Sequence, residues 1–338
     1  MIKEAIGNLV SGNSLTMEEA SSVMREIMAG EATQAQLGAF LVALRLKGET
    51  PEEVAGFASV MREKSLRVSL SGPLIDIVGT GGDGCNTFNI STTSAFVAAG
   101  AGLKVAKHGN RAMSSRCGSA DVLEELGVRI DLTPQQVQQC VENVGIGFMF
   151  AQSFHPAMKY AASPRREIGI RTVFNILGPL TNPAGAQYQV IGVPNEEIGD
   201  KIALALCHLN IKRALVVHGL NGIDELSISG ASSVWEVNSN SAVSHYFIAP
   251  EDVGLESAPP ETVKGGAPAQ NADILRSILS GAKSPARDVV LLNAAAGIYV
   301  GGLATNLKQA VGLARQSIDN GRAAEKLDRL VNFSRAVT

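Results

Sequence analysis

The sequence predicts an α/β protein: a large domain with a mostly parallel central sheet flanked by helices, plus a small all-helical domain. Two patterns predict it. Residues 1–70 carry helical periodicity and helix-capping signals, and the residues after 72 alternate between strand, loop and helix. Of the 338 residues, 45% are hydrophobic and 18% are charged, a composition typical of packed globular proteins and not of disordered ones.

Residues 1–70 are predicted as four short helices. Thr16 with Glu19, and Thr50 with Glu53, have the spacing of a capping box. A helix from about 164 to 180 is expected to join this domain, and the large domain then covers residues 71–338. The apolar stripes of the first helices must pack against the rest of the chain or against a second copy, and they suggest, without fixing it, a homodimer formed through the helical domain.

After residue 72, short apolar runs are predicted as strands at 74–78, 104–106, 147–151, 188–193 and 214–218. Two further runs, at 235–238 and 243–248, are candidates for antiparallel strands. Because ligands of parallel sheets bind at the carboxyl ends of the strands, we expect the loops after Val78, Ala106, Ala151 and His218 to meet at one edge. Three C-terminal helices, near 271–279, 285–300 and 306–336, are expected to be structural.

The first of these loops, Gly79 to Gly84, has four glycines within six residues and follows a predicted buried strand. Glycines allow backbone N–H groups to approach a ligand, and the next helix, for which Ser91 is the expected cap, offers its free N–H groups. This pattern predicts a phosphate-binding loop. Asp83 would repel phosphate unless it binds a sugar hydroxyl, a metal ion or a cation. The alternative is a tight turn without a ligand.

The loop at residues 107–119 follows the next strand and contains Lys107, Arg111 and Arg116 together with several serines. Cations and hydroxyls at a strand end are suited to several phosphate oxygens. The alternative is an exposed polar loop. That the glycine loop and this loop follow successive strands favours the phosphate interpretation.

Asp224 and Glu225 are adjacent carboxylates behind a glycine turn at a strand end. Oxygen ligands shared with substrate phosphates and water suit Mg²⁺, although an isolated Asp-Glu pair is usually exposed surface.

Arg165, Arg166 and Arg171 lie between Pro164 and Gly178. Such arginines commonly form surface ion pairs, but one of them could bind a substrate carboxylate.

Charge and cysteine content exclude other classes. The formal net charge of -3 gives no basic surface for nucleic acid. The four cysteines are widely spaced, which predicts neither a zinc site nor a disulfide framework. The apolar run at 289–304 is too short to cross a membrane and contains Asn293, and the first residues lack a signal-peptide pattern. We expect a cytoplasmic protein that binds no membrane.

Several long motifs in order resemble those of the anthranilate phosphoribosyltransferases, whose fold is similar to that of the nucleoside phosphorylases. They are GTGGD at 79–83, NIST at 89–92, KHGNR at 107–111, SSRCGSADVLEELG at 114–127, RTVFNILGPLTNP at 171–183 and DELS at 224–227. The chain departs from the usual pattern at Ala112, Arg116, Cys117 and Asn221. These positions lie beside the matched residues.

The resemblance implies transfer of phosphoribose from 5-phosphoribosyl 1-diphosphate to the amine of anthranilate, with release of pyrophosphate and assistance from two Mg²⁺ ions. This is the second step of tryptophan biosynthesis from chorismate. One alternative is glycosyl transfer like that of the pyrimidine nucleoside phosphorylases, which would use inorganic phosphate. The other is a non-catalytic nucleic-acid-binding relative, which would need a basic face.

The resemblance also implies site residues. Those for the phosphoribosyl diphosphate are Gly79, Gly82, Asp83, Thr87, Asn89, Ile90, Ser91, Thr92, Lys107, His108, Gly109, Asn110, Arg111, Ser114, Ser115 and Ser119. Those for anthranilate are Gly79, His108, Asn110, His155, Arg165, Gly178 and Pro179. Those for the metal are Ser91, Asp224 and Glu225.

Overall fold

The computed structural model describes residues 1–112, 115–240 and 242–337. Its first four helices are α1 (Ile2–Val10), α2 (Met17–Ala29), α3 (Gln34–Lys47) and α4 (Pro51–Lys64). The predicted capping boxes at Thr16 and Thr50 are confirmed, and Thr33 begins α3 with a third. The four helices pack around one apolar cluster, which is the reason that their apolar faces recur at helical spacing.

The central sheet has seven strands in the order β3-β2-β1-β4-β5-β6-β7. They are β1 (Ile75–Gly79), β2 (Val105–Gly109), β3 (Ile146–Phe150), β4 (Tyr188–Gly192), β5 (Arg213–Gly219), β6 (Ser232–Asn238) and β7 (Val243–Ile248). Strands β1 to β5 pair parallel with one another, whereas β6 pairs antiparallel with both β5 and β7. The predicted, mostly parallel sheet with two antiparallel pieces is confirmed.

Helices cover both faces of the sheet. They are α5 (Ile90–Gly100), α6 (Ser119–Glu125), α7 (Pro134–Val144), α8 (Ala151–Phe154), α9 (Lys159–Ile168), α10 (Phe174–Leu177), α11 (Glu196–His208), α12 (Pro268–Leu279), α13 (Pro285–Val300), α14 (Leu307–Asp319) and α15 (Arg322–Ala336). Side chains of β5 alternate between the two faces. Leu215 and Val217 join the core around α5 and α13, and Ala214 and Val216 join the core shared with the N-terminal helices.

Two helix predictions are wrong in detail. The C-terminal helix predicted at 306–336 is two helices, α14 and α15, because Gly321 takes a left-handed φ of 70° and ends the regular backbone. The helix predicted from about 164 to 180 is divided between α9 and α10. Gly169 stops α9 in the same way, with a φ of 67°. Helix α9 packs against α2 and α3.

The cap prediction for Ser91 is also wrong. Helix α5 begins at Ile90 with Asn89 as its N-cap, so Ser91 lies inside the first turn. In the described part of the chain, no helix is long and apolar enough to cross a membrane.

Candidate active site

The candidate active site lies at the carboxyl-end edge of the parallel strands. The registers pair Gly79 with Gly192, Gly192 with Val217, and Gly109 with Phe150, so these strand ends are level with one another. Strand β1 lies between β2 and β4, where the strand order reverses direction, and this switch point is the usual ligand site of such sheets. The predicted gathering of the four loops at one edge is confirmed.

The glycine loop after β1 is bound to the acidic loop after β5. The N–H of Gly81 donates to Asp224 Oδ2 at 2.8 Å. Gly79 is so close to the same carboxylate that a Cβ at Gly79 would lie 2.4 Å from Asp224 Oδ2. Glycine is therefore required at position 79 for the two loops to meet, and the predicted donor-loop and metal residues are neighbours.

Asp83 belongs to the same cluster. Its Oδ2 accepts from the N–H of Asp224 at 3.4 Å, and its Oδ1 accepts from the N–H of Cys85 at 3.1 Å. The side chain is half-buried. Asp83 is thus the third carboxylate of a group formed with Asp224 and Glu225.

Glu225 Oε1 accepts a hydrogen bond from the N–H of Ser91 at 3.1 Å. This N–H is one of the free donors in the first turn of α5. A carboxylate from another loop therefore satisfies the helix start, and this explains why Ser91 is not needed as the cap. The contact also brings together the three residues predicted for the metal.

The two adjacent carboxylates are buried at a high electrostatic cost. Burial, and after it the negative charge of Asp83, raise the pKa of Asp224 to about 8. Burial and then Asp224 raise the pKa of Glu225, which Lys107 lowers to a smaller extent. A divalent cation bound between these carboxylates would offset their repulsion, so the pair is a candidate site for such an ion.

Lys107 is buried and donates from Nζ to the carbonyl of Ile77 at 2.7 Å. It interacts with Glu225 and with Asp76, a fully buried carboxylate that the sequence interpretation missed. Asp76 accepts from the N–H of His108 at 3.3 Å and from Asn182 Nδ2 at 2.7 Å. Burial raises the pKa of Asp76 to about 6, against the opposing effect of Lys107. Lys107 is therefore held between acids at the strand ends.

The loop after β2 is held by helix α6. Asp121 Oδ2 accepts from the N–H groups of Ala112 and Gly118, at 3.0 and 2.8 Å. Arg111 pairs with Asp121 Oδ1 at 3.0 Å and with Glu124, and its guanidinium lies over the Phe150 ring. The exposed Arg111 is thus bound to two carboxylates of α6.

The other polar residues of this loop differ in their contacts. Ser119 Oγ donates to the carbonyl of Asn110 at 3.2 Å, and a Cβ at Gly109 would lie 2.1 Å from Ser119 Oγ. Ser115 is exposed, and its Oγ lies 3.5 Å from the carbonyl of Cys117. Ser114 lies outside the described residues.

The residues before and in the first turn of α5 differ in whether their side chains are buried and already hydrogen-bonded within the protein. Asn89 is engaged on both sides of its amide: Nδ2 donates to the carbonyl of Cys117 at 3.2 Å, and Oδ1 accepts from Asn271 Nδ2 at 2.9 Å. Ile90 is buried, and Thr87 is half-buried and bridges to Lys264. Thr92 is buried, and its Oγ1 has no hydrogen-bond partner among the described residues.

His108 and His155 form a buried pair with ring centroids 5.1 Å apart. His108 Nδ1 lies 3.3 Å from the carbonyl of Gly178, which can only accept, so Nδ1 carries the hydrogen and Nε2 keeps a lone pair. Among the described residues, neither Nε2 has a partner. Burial lowers the pKa of His108 to about 3 and that of His155 to about 4, so both rings are neutral near pH 7.

Gly178 and Pro179 follow α10 and border the histidine pair. Arg165 lies on α9 with its guanidinium 5.0 Å from the centre of the Phe174 ring, and burial lowers its pKa. In the described ranges, Arg165 has no carboxylate ion-pair partner. A half-buried cation without a counter-ion is suited to an acidic ligand.

The donor atoms fit Mg²⁺ only if the ion is shared with a substrate. Asp224 and Glu225 offer carboxylate oxygens, and Ser91 a hydroxyl, all of which suit Mg²⁺. In residues 1–112, 115–240 and 242–337, no group of three or more His, Cys, Asp or Glu side chains is arranged to hold a metal ion by itself. Water and substrate oxygens would therefore complete the coordination, which is usual for Mg²⁺.

Asn293 is another residue whose role the sequence interpretation missed. This fully buried side chain on α13 accepts from the N–H of Leu226 and donates to its carbonyl, both at 2.9 Å. It fixes the backbone immediately after Glu225. The available signal was a lone polar residue within an apolar helix, which buries such a group only if it is hydrogen-bonded.

Two family models match the chain. The description "Glycosyl transferase family, helical bundle domain" matches residues 3–65, and "Glycosyl transferase family, a/b domain" matches residues 71–324. The chain is 62% identical to the anthranilate phosphoribosyltransferase of Dehalococcoides mccartyi, with 100% of this chain and 99% of the relative covered. It is 59% identical to that of Chloroflexus aggregans, with 99% and 98% covered.

Solved structures agree. The anthranilate phosphoribosyltransferase of Thermus thermophilus has a TM-score of 0.93 at 48% identity, with 98% of this chain and 99% of that chain covered. The enzyme of Saccharomyces cerevisiae in complex with 5-phosphoribosyl 1-diphosphate and Mg has a TM-score of 0.91 at 29% identity, with 99% and 98% covered.

Fold and site together define a glycosyltransferase with a helical bundle and an α/β domain. Within that class, the chain belongs to the anthranilate phosphoribosyltransferase family. The resemblance identified from the motifs, the fold class and the enzyme class are thereby confirmed.

The buried histidines predict a pH dependence of stability. Their pKa values are about 3 and about 4 in the folded chain, against about 6.5 when unfolded. Between these values the unfolded chain binds more protons, so the unfolding free energy falls as the pH falls, by at most about 1.4 kcal/mol per pH unit for each histidine. We expect the Tm of the double variant His108→Gln/His155→Gln, measured by calorimetry, to fall less than the parental Tm between pH 6.5 and pH 4.5.

The exposed His208 provides the control. His208→Gln is expected to keep the parental decline in Tm. Identical declines in the double variant and the parent would contradict burial of neutral histidines at the site.

Proposed function

We propose that the chain transfers the phosphoribosyl group of 5-phosphoribosyl 1-diphosphate to the amine of anthranilate, giving N-(5-phosphoribosyl)anthranilate and pyrophosphate, the second step of tryptophan biosynthesis from chorismate. The observation that carries the proposal is the contact between the glycine loop and the buried acids Asp224 and Glu225. It joins a phosphate-binding element to candidate Mg²⁺ ligands. The Saccharomyces cerevisiae relative, solved with this donor and Mg, supports it.

The donor would lie across the strand ends between the glycine loop and the loop after β2. Backbone N–H groups of the glycine loop and the start of α5 would face its phosphate oxygens. Thr92 Oγ1, buried and without a partner in the described ranges, is a hydroxyl ready for such an oxygen. Arg111 would have to exchange Asp121 and Glu124 for phosphate, whereas Asn89 would act mainly by holding the loops in place.

Mg²⁺ would be held by Asp224, Glu225 and Ser91 together with donor oxygens and water. When bound, the ion supplies positive charge against the pyrophosphate that develops as the glycosidic bond breaks. We propose two ions, because the carboxylates of Asp83, Asp224 and Glu225 raise one another's electrostatic cost, and Lys107 interacts with Glu225 alone among the three. The buried acids contribute by remaining close together, so that cations and the anionic donor favour each other's binding.

Anthranilate would lie between the histidine pair and Arg165. Its carboxylate would face the Arg165 guanidinium, and Gly79, Asn110, Gly178 and Pro179 would border the ring. A 4-fluoroanthranilate complex of the Saccharomyces cerevisiae relative supports an acceptor of this shape. The lone pairs on the unpartnered Nε2 atoms of His108 and His155 are hydrogen-bond acceptors suited to the N–H bonds of an aromatic amine.

The reaction needs positioning and charge stabilisation more than a strong base. An aromatic amine is already a free, weakly basic nucleophile, so the neutral histidines can hold it with its lone pair toward C1 of the ribose. As the C1–O bond breaks, C1 becomes positively charged, and the amine attacks from the opposite face. The amine then loses a proton, which an Nε2 lone pair could accept.

We also propose that two copies associate through the helical domain. Val10 of α1 and Leu46 of α3 are 73% and 83% exposed. Large apolar side chains exposed on neighbouring helices favour a partner surface.

The direct test follows the loss of anthranilate fluorescence. We expect the signal to fall only when 5-phosphoribosyl 1-diphosphate and Mg²⁺ are both present, because the charge of the leaving pyrophosphate must be neutralised. Omission of either one, or chelation of the metal by EDTA, is the control. Persistent fluorescence with all three present would refute the proposal, as would nucleoside cleavage with inorganic phosphate as the only activity.

The second test separates the two substrates. Arg165→Gln is expected to raise the KM for anthranilate about 10- to 100-fold, the loss of a charge-assisted pair. The donor KM should change far less. Arg166→Gln removes an equal charge from the exposed side of the same helix and is the matched control. Steady-state kinetics in which Arg165→Gln affects the donor KM more than the acceptor KM would contradict the assignment.

A further inference from the structure

Arg171 binds the backbone of the glycine loop. Its Nη1 donates to the carbonyl of Gly82 at 2.7 Å, and its Nη2 lies 3.3 Å from the carbonyl of Gly81. The residue belongs to the linker between α9 and α10 and is exposed, with no carboxylate ion-pair partner in the described part of the chain. Its hydrogen-bond partners are thus carbonyls of the loop that follows β1.

These contacts fix the direction of two peptide groups. In a trans peptide, the C=O of one residue and the N–H of the next point in opposite directions. Arg171 draws the carbonyls of Gly81 and Gly82 toward itself, so the N–H groups of Gly82 and Asp83 point away from it. Within the described ranges, neither N–H donates a hydrogen bond to the protein. Two free N–H groups in succession are suited to an anion.

The approach of the guanidinium depends on the glycine at position 82. A Cβ there would lie 1.9 Å from Arg171 Nη1. Gly84, in contrast, has a similar φ of +74° but nothing within 4 Å of an added Cβ. The missing side chain of Gly82 therefore makes space for Arg171 as well as allowing a left-handed backbone.

We propose that Arg171 is a positioning residue for the phosphoribosyl donor. It holds the Gly81 and Gly82 carbonyls so that the N–H groups of Gly82 and Asp83 stay aimed at the pyrophosphate of the donor. It also joins the donor loop to the segment that carries Arg165, six positions earlier on α9. The role rests on the proposed function, since it concerns the same donor site.

The test compares Arg171→Gln and Arg171→Lys with the parent and with the exposed control Arg166→Gln. Without the Arg171 guanidinium, the peptide groups after Gly81 and Gly82 would no longer be held in one orientation. We therefore expect Arg171→Gln to raise the donor KM about tenfold or more. The affinity for pyrophosphate with Mg²⁺, measured by isothermal titration calorimetry, should fall by a similar factor. The anthranilate KM and the Tm should remain close to the parental values.

Arg171→Lys keeps the charge and one donor and should recover part of the loss. Gly82→Ala should reproduce the Arg171→Gln defect, and Gly84→Ala should have a smaller effect because only Gly82 faces the guanidinium. Similar increases of the donor KM in Gly82→Ala and Gly84→Ala would contradict a role for the contact between Arg171 and Gly82.

Unchanged donor KM and pyrophosphate affinity in Arg171→Gln would overturn the inference. So would equal changes in both KM values together with a lower Tm, which indicate a merely structural role. If the parent transfers no phosphoribose yet binds pyrophosphate through Arg171, the proposed function fails and the positioning of the loop stands. If the parent is active and Arg171→Gln behaves like Arg166→Gln, only the inference about Arg171 fails.

Discussion

The hydrogen bond from the N–H of Gly81 to Asp224 joins two loops that lie 143 positions apart in the chain. Asp83 adds a second contact to the same acidic loop, and Glu225 joins that loop to the start of α5. Asn293 holds the acidic loop from the side of α13. The glycine loop and the acidic loop thus form one unit, and displacement of either loop breaks contacts of the other.

This unit places two buried carboxylates beside a third that is half-buried. When ionised, Asp83, Asp224 and Glu225 repel one another, and Lys107 offsets this only in part because it also faces Asp76. Buried like charges are costly without a counter-ion. The fold can keep them because the parallel strand ends and their hydrogen bonds hold the acids there. We expect cations and an anionic substrate to relieve this repulsion, which would link metal and donor binding.

Features with local causes could be predicted from the sequence, and features with distant causes could not. The capping boxes at Thr16 and Thr50 and the turn of the glycine loop depend on residues that are close in sequence, so sequence patterns predict them. Asn89 matches the motif, but its amide is bound by Asn271, which lies 182 positions away. Arg111 and the start of α5 likewise depend on carboxylates contributed by other elements. Residue types alone therefore indicate which loops form the site but not which side chains are free.

The proposed function requires the acidic pair to make donor binding depend on Mg²⁺. Isothermal titration of 5-phosphoribosyl 1-diphosphate at several Mg²⁺ concentrations, in the parent and in Asp224→Asn/Glu225→Gln, measures this dependence. We predict that the parent binds more tightly as Mg²⁺ rises, and that the variant loses this dependence and at least about tenfold in affinity at saturating Mg²⁺. Equal affinities with the same Mg²⁺ dependence in both proteins would show that Asp224 and Glu225 do not couple the ion to the donor.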